Sequence, residues 1–416
     1  MDRMKSHSEG DKSLRDLGQL GRGPSLPILG RQVYGTPLTP SRIRSIFPSR
    51  PYASNSEGLN PERLYPDVRK FLPVTVIPAP SRHPLPTPPS YSELNIHPGW
   101  KSLDPDWINI ETMGLWLRKC DDEHGGICRR PFGSDLSGLG GPKLLIDVAN
   151  KCLVTSRASY RYACLSYVWG GASTLKTELH NLDSLMLEGS LYIHRDDIPR
   201  TIRDAISLTE QLGIPYIWID ALCIVQDDEV SKHDQIQAMA GIFANAYVTL
   251  IAGNGWDANH GLRGIQGVTE PRHLSSFLKS NLRENLQPYS SKWYSRGWTF
   301  QEMVFSPRKI MFQYQLAVWE CNQATWDESS LTGISTTSLN STQFSISPWK
   351  SQIQLSPWPD VRQYVSLVHE YTTRKLTYGE DGLNAISSLL SVMCGSFWGG
   401  FVSGLPEMFF NEALLW

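Results

Sequence analysis

The chain has 416 residues, a formal net charge of −2 and 40% hydrophobic residues. Its length exceeds that of one ordinary domain, and its hydrophobic fraction is sufficient for a sizeable core, which excludes a wholly disordered protein. The small net charge provides no electrostatic footprint for nucleic acid or for an acidic membrane surface, so we predict neither as a partner.

The first 95 residues are rich in proline, serine, glycine and arginine and show neither helical nor strand periodicity. Six prolines between Pro78 and Pro89 favour an extended, polyproline-like linker. We therefore predict a disordered leader over residues 1–95. A proline-rich segment that binds a partner is the alternative interpretation.

Ordered elements are predicted from about residue 96 onward. Hydrophobic periodicity and capping residues predict helices over 107–120, 198–212, 231–243, 359–374 and 381–393. Short apolar runs predict strands at 143–148, 162–167, 216–219 and 247–252, and a hairpin of 309–312 with 317–320. Because strands and helices alternate, we expect an α/β fold with a parallel sheet flanked by helices, to which a β-hairpin and C-terminal helices are added.

This pattern divides the chain into four regions. They are the leader at 1–95, an entry region at 96–160, a core at 161–305, and a C-terminal hairpin and helical extension at 306–416. The uncharged stretch 383–405 is long enough to cross a membrane, but several serines and glycines interrupt it. We predict a buried helix followed by a loop there, and no membrane span.

The seven cysteines are scattered and odd in number, which is typical of reduced thiols in an intracellular protein rather than of a disulfide framework. No apolar run follows the first basic residues, as it would in a secretory signal. The early acids Asp2, Glu9 and Asp11 argue against a mitochondrial transit peptide. These features predict a cytoplasmic protein.

Polar side chains follow two neighbouring predicted strands, at the edge where ligands bind in an open parallel sheet. Ser166 and Trp169 follow the first of these strands, and Asp220 and Gln226 follow the second. A further polar run is expected to fold over the same edge, and its candidate ligand-binding residues are Arg296, Trp298, Gln301 and Glu302. A basic group, a carboxylate and several indoles together suit a flat, partly charged ligand.

Four separated motifs carry a family resemblance. They are YACLSYVWGG at 162–171, IPRTIRDAISLTEQLGIPYIWIDALCIVQDD at 198–228, FANAYVTLIAG at 243–253 and WYSRGWTFQEMVFSPRKIMF at 293–312. In this order they resemble the fungal heterokaryon-incompatibility (HET) domain, and the flanking segments extend the resemblance over about residues 100–416. Related proteins run on past the last tryptophan, so a truncated carboxyl end is expected.

The resemblance implies an effector of non-self recognition in vegetative incompatibility that promotes programmed cell death through protein partners or self-association. The family is also remotely similar to TIR domains, which implies a TIR-like, flavodoxin-like fold and an alternative function as an NAD-cleaving hydrolase. In that alternative, Glu302 or Asp220 is the catalytic residue, Trp169 or Trp298 stacks on the base, and NAD is a substrate rather than a cofactor. An inactive family member is the third hypothesis.

Each candidate also has a structural interpretation. Asp220 is placed to cap the turn that follows its strand, and Glu302 is placed to form a salt bridge with Arg296. Cys223 has no histidine at short spacing to activate it, so a packed thiol is predicted. Ser166 lacks the G-x-S-x-G pattern of a hydrolase nucleophile.

Cys120, His124 and Cys128 are residue types that bind zinc, but their spacing is not that of a Cys-x-x-Cys knuckle. A fourth ligand is not evident in the sequence, and Cys152 is the additional residue that we considered. From the sequence alone we therefore predict no metal site and no cofactor.

Overall fold

The computed structural model describes residues 103–129, 139–274, 291–328 and 358–414. The predicted leader at 1–95 lies outside these residues. The main strands are β1 (Leu144–Asp147), β2 (Cys152–Thr155), β3 (Tyr162–Ser166), β4 (Tyr216–Trp218), β5 (Val248–Ala252), β6 (Arg308–Gln313), β7 (Leu316–Cys321) and β8 (Thr325–Asp327). A separate pair consists of β9 (Phe401–Val402) and β10 (Leu405–Pro406).

The α-helices of the described residues include counterparts of all five predicted helices, with 231–243 divided into two, and others that were not predicted. They are α1 (Ile110–Lys119), α2 (Leu182–Leu185), α3 (Ser190–Ile193), α4 (Arg200–Gln211), α5 (Asp220–Cys223), α6 (Glu229–Gln237), α7 (Met239–Asn245), α8 (Trp298–Phe305), α9 (Val361–Thr372), α10 (Asp381–Met393) and α11 (Phe410–Ala413). Among the described residues, no helix is long and apolar enough to cross a membrane.

The eight main strands form one mixed sheet in the order β2-β1-β4-β3-β5-β6-β7-β8. Its centre, β4-β3-β5-β6, is parallel, and antiparallel pairs extend it on both sides. The predicted α/β fold is thereby confirmed, including the hairpin, in which Lys309 pairs with Glu320 and Phe312 with Ala317. The sheet as a whole is mixed rather than purely parallel, because an antiparallel hairpin extends it at each side.

Several elements were not predicted from the sequence, and strand β2 and helix α8 are two of them. Strand β2 has four residues and joins β1 through a turn in which Lys151 has a φ of 50°, so neither its length nor its turn residue indicates a hairpin. Helix α8 has no polar face, because every residue from Thr299 to Phe305 is buried. A helix that is buried all round has no amphipathic pattern that would reveal it.

The helices cover the parallel centre of the sheet. Helix α4 is amphipathic and packs its buried residues, among them Ile202 and Ala205, against β3 and β4. Helices α7, α8 and α10 pack against one another. The crossover from β3 to β4 and the crossover from β4 to β5 run in opposite directions along the sheet. Right-handed connections therefore place α4 and α7 on opposite faces.

The order of the parallel strands positions the candidate site. Numbered along the chain, these four strands lie in the order 2-1-3-4, which is the beginning of the flavodoxin-like arrangement. The direction of winding reverses between β3 and β5, where Ser166 pairs with Ile251. A crevice beyond the carboxyl ends of the strands at such a reversal is the usual ligand position in this class of fold.

Candidate functional site

A buried hydrogen-bond chain lies at the carboxyl end of β3. The Ser166 hydroxyl donates a short hydrogen bond to Glu302 Oε2, and Trp293 Nε1 donates to Ser166 Oγ at 2.7 Å. All three residues are buried. Ser166 comes from the end of a strand and Glu302 from the middle of α8. These hydrogen bonds therefore form only when the helix packs across the sheet. Trp293, whose indole completes the hydrogen bonding of the serine, is not among the residues predicted from the sequence.

Asp220 lies directly after β4 and holds a second indole. Trp169 Nε1 donates to Asp220 Oδ2 at 2.7 Å, while the other carboxylate oxygen accepts the Ala221 backbone N–H at 2.8 Å. The buried Tyr167 side chain lies near the same carboxyl group. Asp220 therefore accepts a backbone N–H of the turn that follows its strand, as its structural interpretation predicted. It also positions the Trp169 ring at the edge of the sheet.

Arg296 is the cation next to both acids. Its guanidinium donates a short hydrogen bond to the Tyr167 carbonyl oxygen, and its charge opposes the rise that burial causes in the pKa of both Asp220 and Glu302. The ion pairs within the described ranges do not include one between Arg296 and Glu302. The salt bridge considered in the sequence analysis is thus replaced by the hydrogen bond from Ser166.

Burial controls the protonation of both acids. Burial raises the pKa of Glu302 to about 7, against the opposing influence of Arg296 and of the Ser166 hydrogen bond. Burial also raises the pKa of Asp220, although the Trp169 hydrogen bond and Arg296 act in the opposite direction. A carboxyl group that titrates near neutral pH is able both to donate and to accept a proton. We call Ser166, Trp169, Asp220, Arg296 and Glu302 the switch-point cluster.

Three other predicted residues lie in different surroundings. Gln226 donates to the backbone carbonyls of Asp220 and Ile224 at 3.0 and 3.1 Å, which stabilises the turn beneath the cluster. Gln301 directs its amide at the Met239 sulfur on α7, at 4.0 Å, instead of at the cluster. Trp298 is partly buried at the start of α8 and packs against the hydrophobic core.

The segment that carries Arg296 is held by residues that follow α9. The Gly297 amide donates to the Lys375 carbonyl at 2.8 Å, and the Lys375 amide donates to the Ser295 carbonyl at 2.6 Å. Next to them, the Arg374 guanidinium lies over the Tyr294 ring at 4.2 Å. The geometry of the cluster therefore depends on the C-terminal region of the chain.

A small cavity lies at the end of β5, apart from the switch-point cluster. Its lining residues include Asn254, His260, Arg263 and Gln315, and no residue of the cluster is among them. Burial lowers the pKa of His260, and the neighbouring charge of Arg263 lowers it further. The residues that the sequence pattern placed at the sheet edge do not line this cavity.

A second polar cluster lies at β7, next to the edge of the sheet that is opposite β2. Cys120, His124 and Cys128 of the entry region meet Cys321 at the end of β7, and one potential ligand atom from each lies within 4.8 Å of all the others. Cys152, the fourth ligand considered from the sequence, lies on β2 and is not part of this group. Cys321 is 197 residues from His124, and no local spacing motif spans such a separation.

The comparisons with known proteins identify a family for the central part of the chain. Residues 162–302 match the family model described as "Heterokaryon incompatibility protein (HET)". The match begins at the first residue of β3 and ends at Glu302, so it contains the whole switch-point cluster. It confirms the resemblance drawn from the motifs. No curated protein and no solved structure matches the chain.

Proposed function

Because residues 162–302 match the heterokaryon incompatibility (HET) family model, we propose that the chain is a cytoplasmic effector of fungal non-self recognition whose activation arrests or kills the cell. The proposal rests on the family match of residues 162–302. The cysteines are compatible with an intracellular location, since none of the seven forms a disulfide.

An exposed apolar surface supports activation through protein contacts. Around α2 and α3, the side chains of Leu187, Tyr192 and Ile193 are 67%, 68% and 78% exposed. Large apolar side chains grouped at a surface are typical of sites that bind other proteins. In this proposal, a partner or a second copy of the chain covers this surface, and assembly produces the toxic state.

The switch-point cluster supports a second candidate function, the hydrolysis of NAD. Water would add to the ribose carbon that bears nicotinamide, and the products would be ADP-ribose, nicotinamide and a proton. In its ionised form Glu302 would stabilise the positive charge that develops on the ribose, and Trp169 would stack on a flat ring. The observation that favours this candidate is an acid with a pKa of about 7 at the reversal point of the sheet.

Access to Glu302 is the main requirement of this second function. The residue is 7% exposed and hydrogen-bonded to Ser166, so a substrate reaches it only after the segment around Arg296 moves. That movement would also break the backbone contacts of this segment with Lys375. The enzymatic function would therefore be coupled to a conformational change, such as one driven by assembly.

The experiment is induced expression of the chain in a fungal host, with viability and cellular NAD followed over time. Glu302→Gln tests the cluster, and Asp204→Asn is its matched control, since Asp204 is another buried acid with a raised pKa, about 6, outside the cluster. Ile193→Asp tests the exposed surface, and Val230→Asp is its control at a separate position that is 75% exposed.

Each outcome selects one function. If NAD falls before death and Glu302→Gln alone prevents both, the enzymatic candidate is supported. If cells die with NAD intact and Ile193→Asp alone prevents death, activation through protein contacts is supported. Normal growth of cells that contain abundant, folded wild-type protein would contradict the effector function and favour an inactive family member.

A further inference from the structure

Four side chains of zinc-binding type converge beside the sheet, at positions that the family match does not include. Cys120, His124 and Cys128 precede residues 162–302, and Cys321 follows them. Their potential ligand atoms all lie within 4.8 Å of one another, and His124 Nδ1 is 3.3 Å from Cys321 Sγ. The three cysteines are buried, and His124 is partly buried.

The backbone of the entry region is shaped to bring three of these residues together. After α1, the chain continues as one π-helical turn, Cys120–His124, and then as one 3₁₀ turn, Gly125–Cys128. Gly125, with a φ of 47°, lies at the junction of the two turns, in a backbone conformation that residues other than glycine rarely adopt. Single π-helical turns are rare and occur frequently at functional sites.

The spacing of the four groups fits one tetrahedral metal ion. With Zn–S bonds of about 2.3 Å and a Zn–N bond of about 2.0 Å, ligand atoms around zinc are separated by about 3.4–3.8 Å. The His124–Cys321 separation of 3.3 Å lies at the lower end of this range, and the other separations are at most 4.8 Å, which is within about 1 Å of its upper end. Three thiolates and one imidazole are a standard ligand set of structural zinc sites.

The surroundings of the cluster are those expected for an anionic metal centre. Zinc with three thiolates and a neutral imidazole has a net charge of −1. Arg308 places its charge near Cys120, and its buried Nε–H has no hydrogen-bond partner among the described residues. The Asn322 backbone N–H is directed at the Cys128 sulfur. Such donors to the ligating sulfurs are typical of the second coordination sphere.

A disulfide would account for less of this arrangement. It would join two of the three cysteines and leave the third cysteine and the imidazole without a role, and none of these cysteines forms a disulfide in the structure. The ring of Trp326 on β8 lies 5.6 Å from the His124 ring, which restricts the orientation of the imidazole. A single ion uses all four groups at once.

We propose that Cys120, His124, Cys128 and Cys321 bind one structural zinc ion that fastens the entry region to strand β7. All four ligand positions are filled by the protein, so the site is closed to substrate and does not catalyse a reaction. The ion closes a loop that contains the whole of residues 162–302. It thereby stabilises a sheet whose outer strands come from outside the matched region. This proposal is independent of the proposed effector function.

The first experiment measures metal content in the full chain. Purified under reducing conditions, the protein is expected to contain about one zinc per chain by mass spectrometry of the metal. Removal by a chelator is expected to lower the Tm by about 5 °C or more, because the ion stabilises only the folded state. Added zinc should restore the Tm, and added magnesium, which prefers oxygen ligands, should not.

Cys321→Ser is the test of the ligand set, and Cys152→Ser is its matched control. Both cysteines are buried on strands of the same sheet, but Cys152 lies outside the cluster. Loss of one thiolate is expected to weaken zinc binding at least tenfold, whereas the control should retain one zinc. Equal zinc affinities of the two variants, measured by competition with a chelator, would overturn the proposal.

Two measurements on the wild-type chain decide the case in which Cys321→Ser fails to fold. Cobalt added to the chelated protein should produce the thiolate charge-transfer and visible bands of a tetrahedral site. Zinc should also protect Cys120, Cys128 and Cys321 from alkylation, while the exposed Cys394 reacts at all times. A folded chain that binds neither metal, or a disulfide within the cluster found by mass spectrometry, would overturn the proposal.

Discussion

Single residues in the switch-point cluster show how strongly the fold changes their chemistry. Glu302 is buried and accepts a hydrogen bond from Ser166, and the charges that act on it are those of Arg296, Asp220 and Arg374. In water the same carboxyl group would be ionised at neutral pH. Here the cost of burying the charge exceeds the stabilisation by Arg296, so the proton is retained until about pH 7.

This retained proton predicts a pH-dependent stability. The pKa of Glu302 rises from an ordinary 4.5 to about 7, so between these values the folded protein holds a proton that the unfolded chain has lost. The free energy of unfolding therefore falls as the pH rises through this window. Because glutamine does not titrate, Glu302→Gln should abolish this fall in the free energy of unfolding. The fall is at most roughly 3 kcal/mol, at about 1.4 kcal/mol per pKa unit. The measurement is urea unfolding of both proteins from pH 5 to 8. An equal dependence of the free energy of unfolding on pH in the two proteins would contradict this prediction.

Replacement of Gly170, the residue after Trp169, is expected to destabilise the protein. Gly170 has a φ of 62°, and an added Cβ would lie 2.3 Å from the Asp257 Cβ. Gly170→Ala should lower the free energy of unfolding by about 1–3 kcal/mol, since it combines an unfavourable backbone conformation with a steric clash. Gly171→Ala is the control, because its added Cβ has no neighbour within 4 Å. Equal stability of the two variants in urea unfolding would refute the expectation.

At the scale of elements, the hairpin β6–β7 and strand β8 are attached to the rest of the protein by buried charges. Arg272 donates to both carboxylate oxygens of Glu328, directly after β8, at 2.8 and 2.7 Å. It also donates to the carbonyl of Asp104 in the entry region and to that of Gln315 in the hairpin turn. One guanidinium thus connects three segments that are distant in sequence.

Removal of this guanidinium should destabilise the sheet edge. Arg272→Met leaves the buried Glu328 carboxylate without its cation, and the expected loss is about 3–5 kcal/mol of unfolding free energy. Arg263→Met is the comparison, because Arg263 forms a partly exposed pair with Glu270 at 3.6 Å and should cost less than about 1 kcal/mol. Thermal unfolding measures both changes, and similar Tm values for the two variants would contradict the expectation.

At the scale of the whole molecule, the matched residues 162–302 do not form a complete sheet by themselves. Strands β1 and β2 precede them, and β6, β7 and β8 follow them, although β5 and β6 pair directly. The entry region also contacts the sheet through Asp121, which pairs with Arg308 at 2.7 Å and accepts a hydrogen bond from Tyr247 at 2.6 Å. The unit that folds is therefore larger than the region that defines the family.

The C-terminal region should accordingly control the candidate site. Arg374 is buried over the Tyr294 and Phe300 rings and donates to Thr299 Oγ1 at 3.3 Å. Arg374→Ala should therefore lower the free energy of unfolding by roughly 2 kcal/mol or more and the Tm by several degrees. It should also expose the chain near Arg296 to protease. Arg362→Ala, at an exposed position of α9, is the control. Unchanged proteolysis of Arg374→Ala would argue against this coupling.

Much of the fold was predictable because it depends on local patterns. Helix α4 has an apolar stripe at helical spacing, α10 coincides with the predicted 381–393, and strands such as β5 are continuous apolar runs. Elements such as α8 and β2 were not predicted because they lack such patterns: α8 is buried on all sides, and β2 is short. The four motifs also indicated the family, since their order along the chain is a property of the sequence itself.

The sites depended on contacts that no local pattern contains. Ser166 and Glu302 are 136 residues apart, Trp169 and Asp220 are 51 apart, and His124 and Cys321 are 197 apart. Local patterns specify which segments become strands and helices, because hydrophobic periodicity acts over a few residues. Which side chains meet depends on the fold, because strand order and helix packing bring distant residues together. For the same reason the fourth cysteine of the proposed zinc site became evident only in the folded protein.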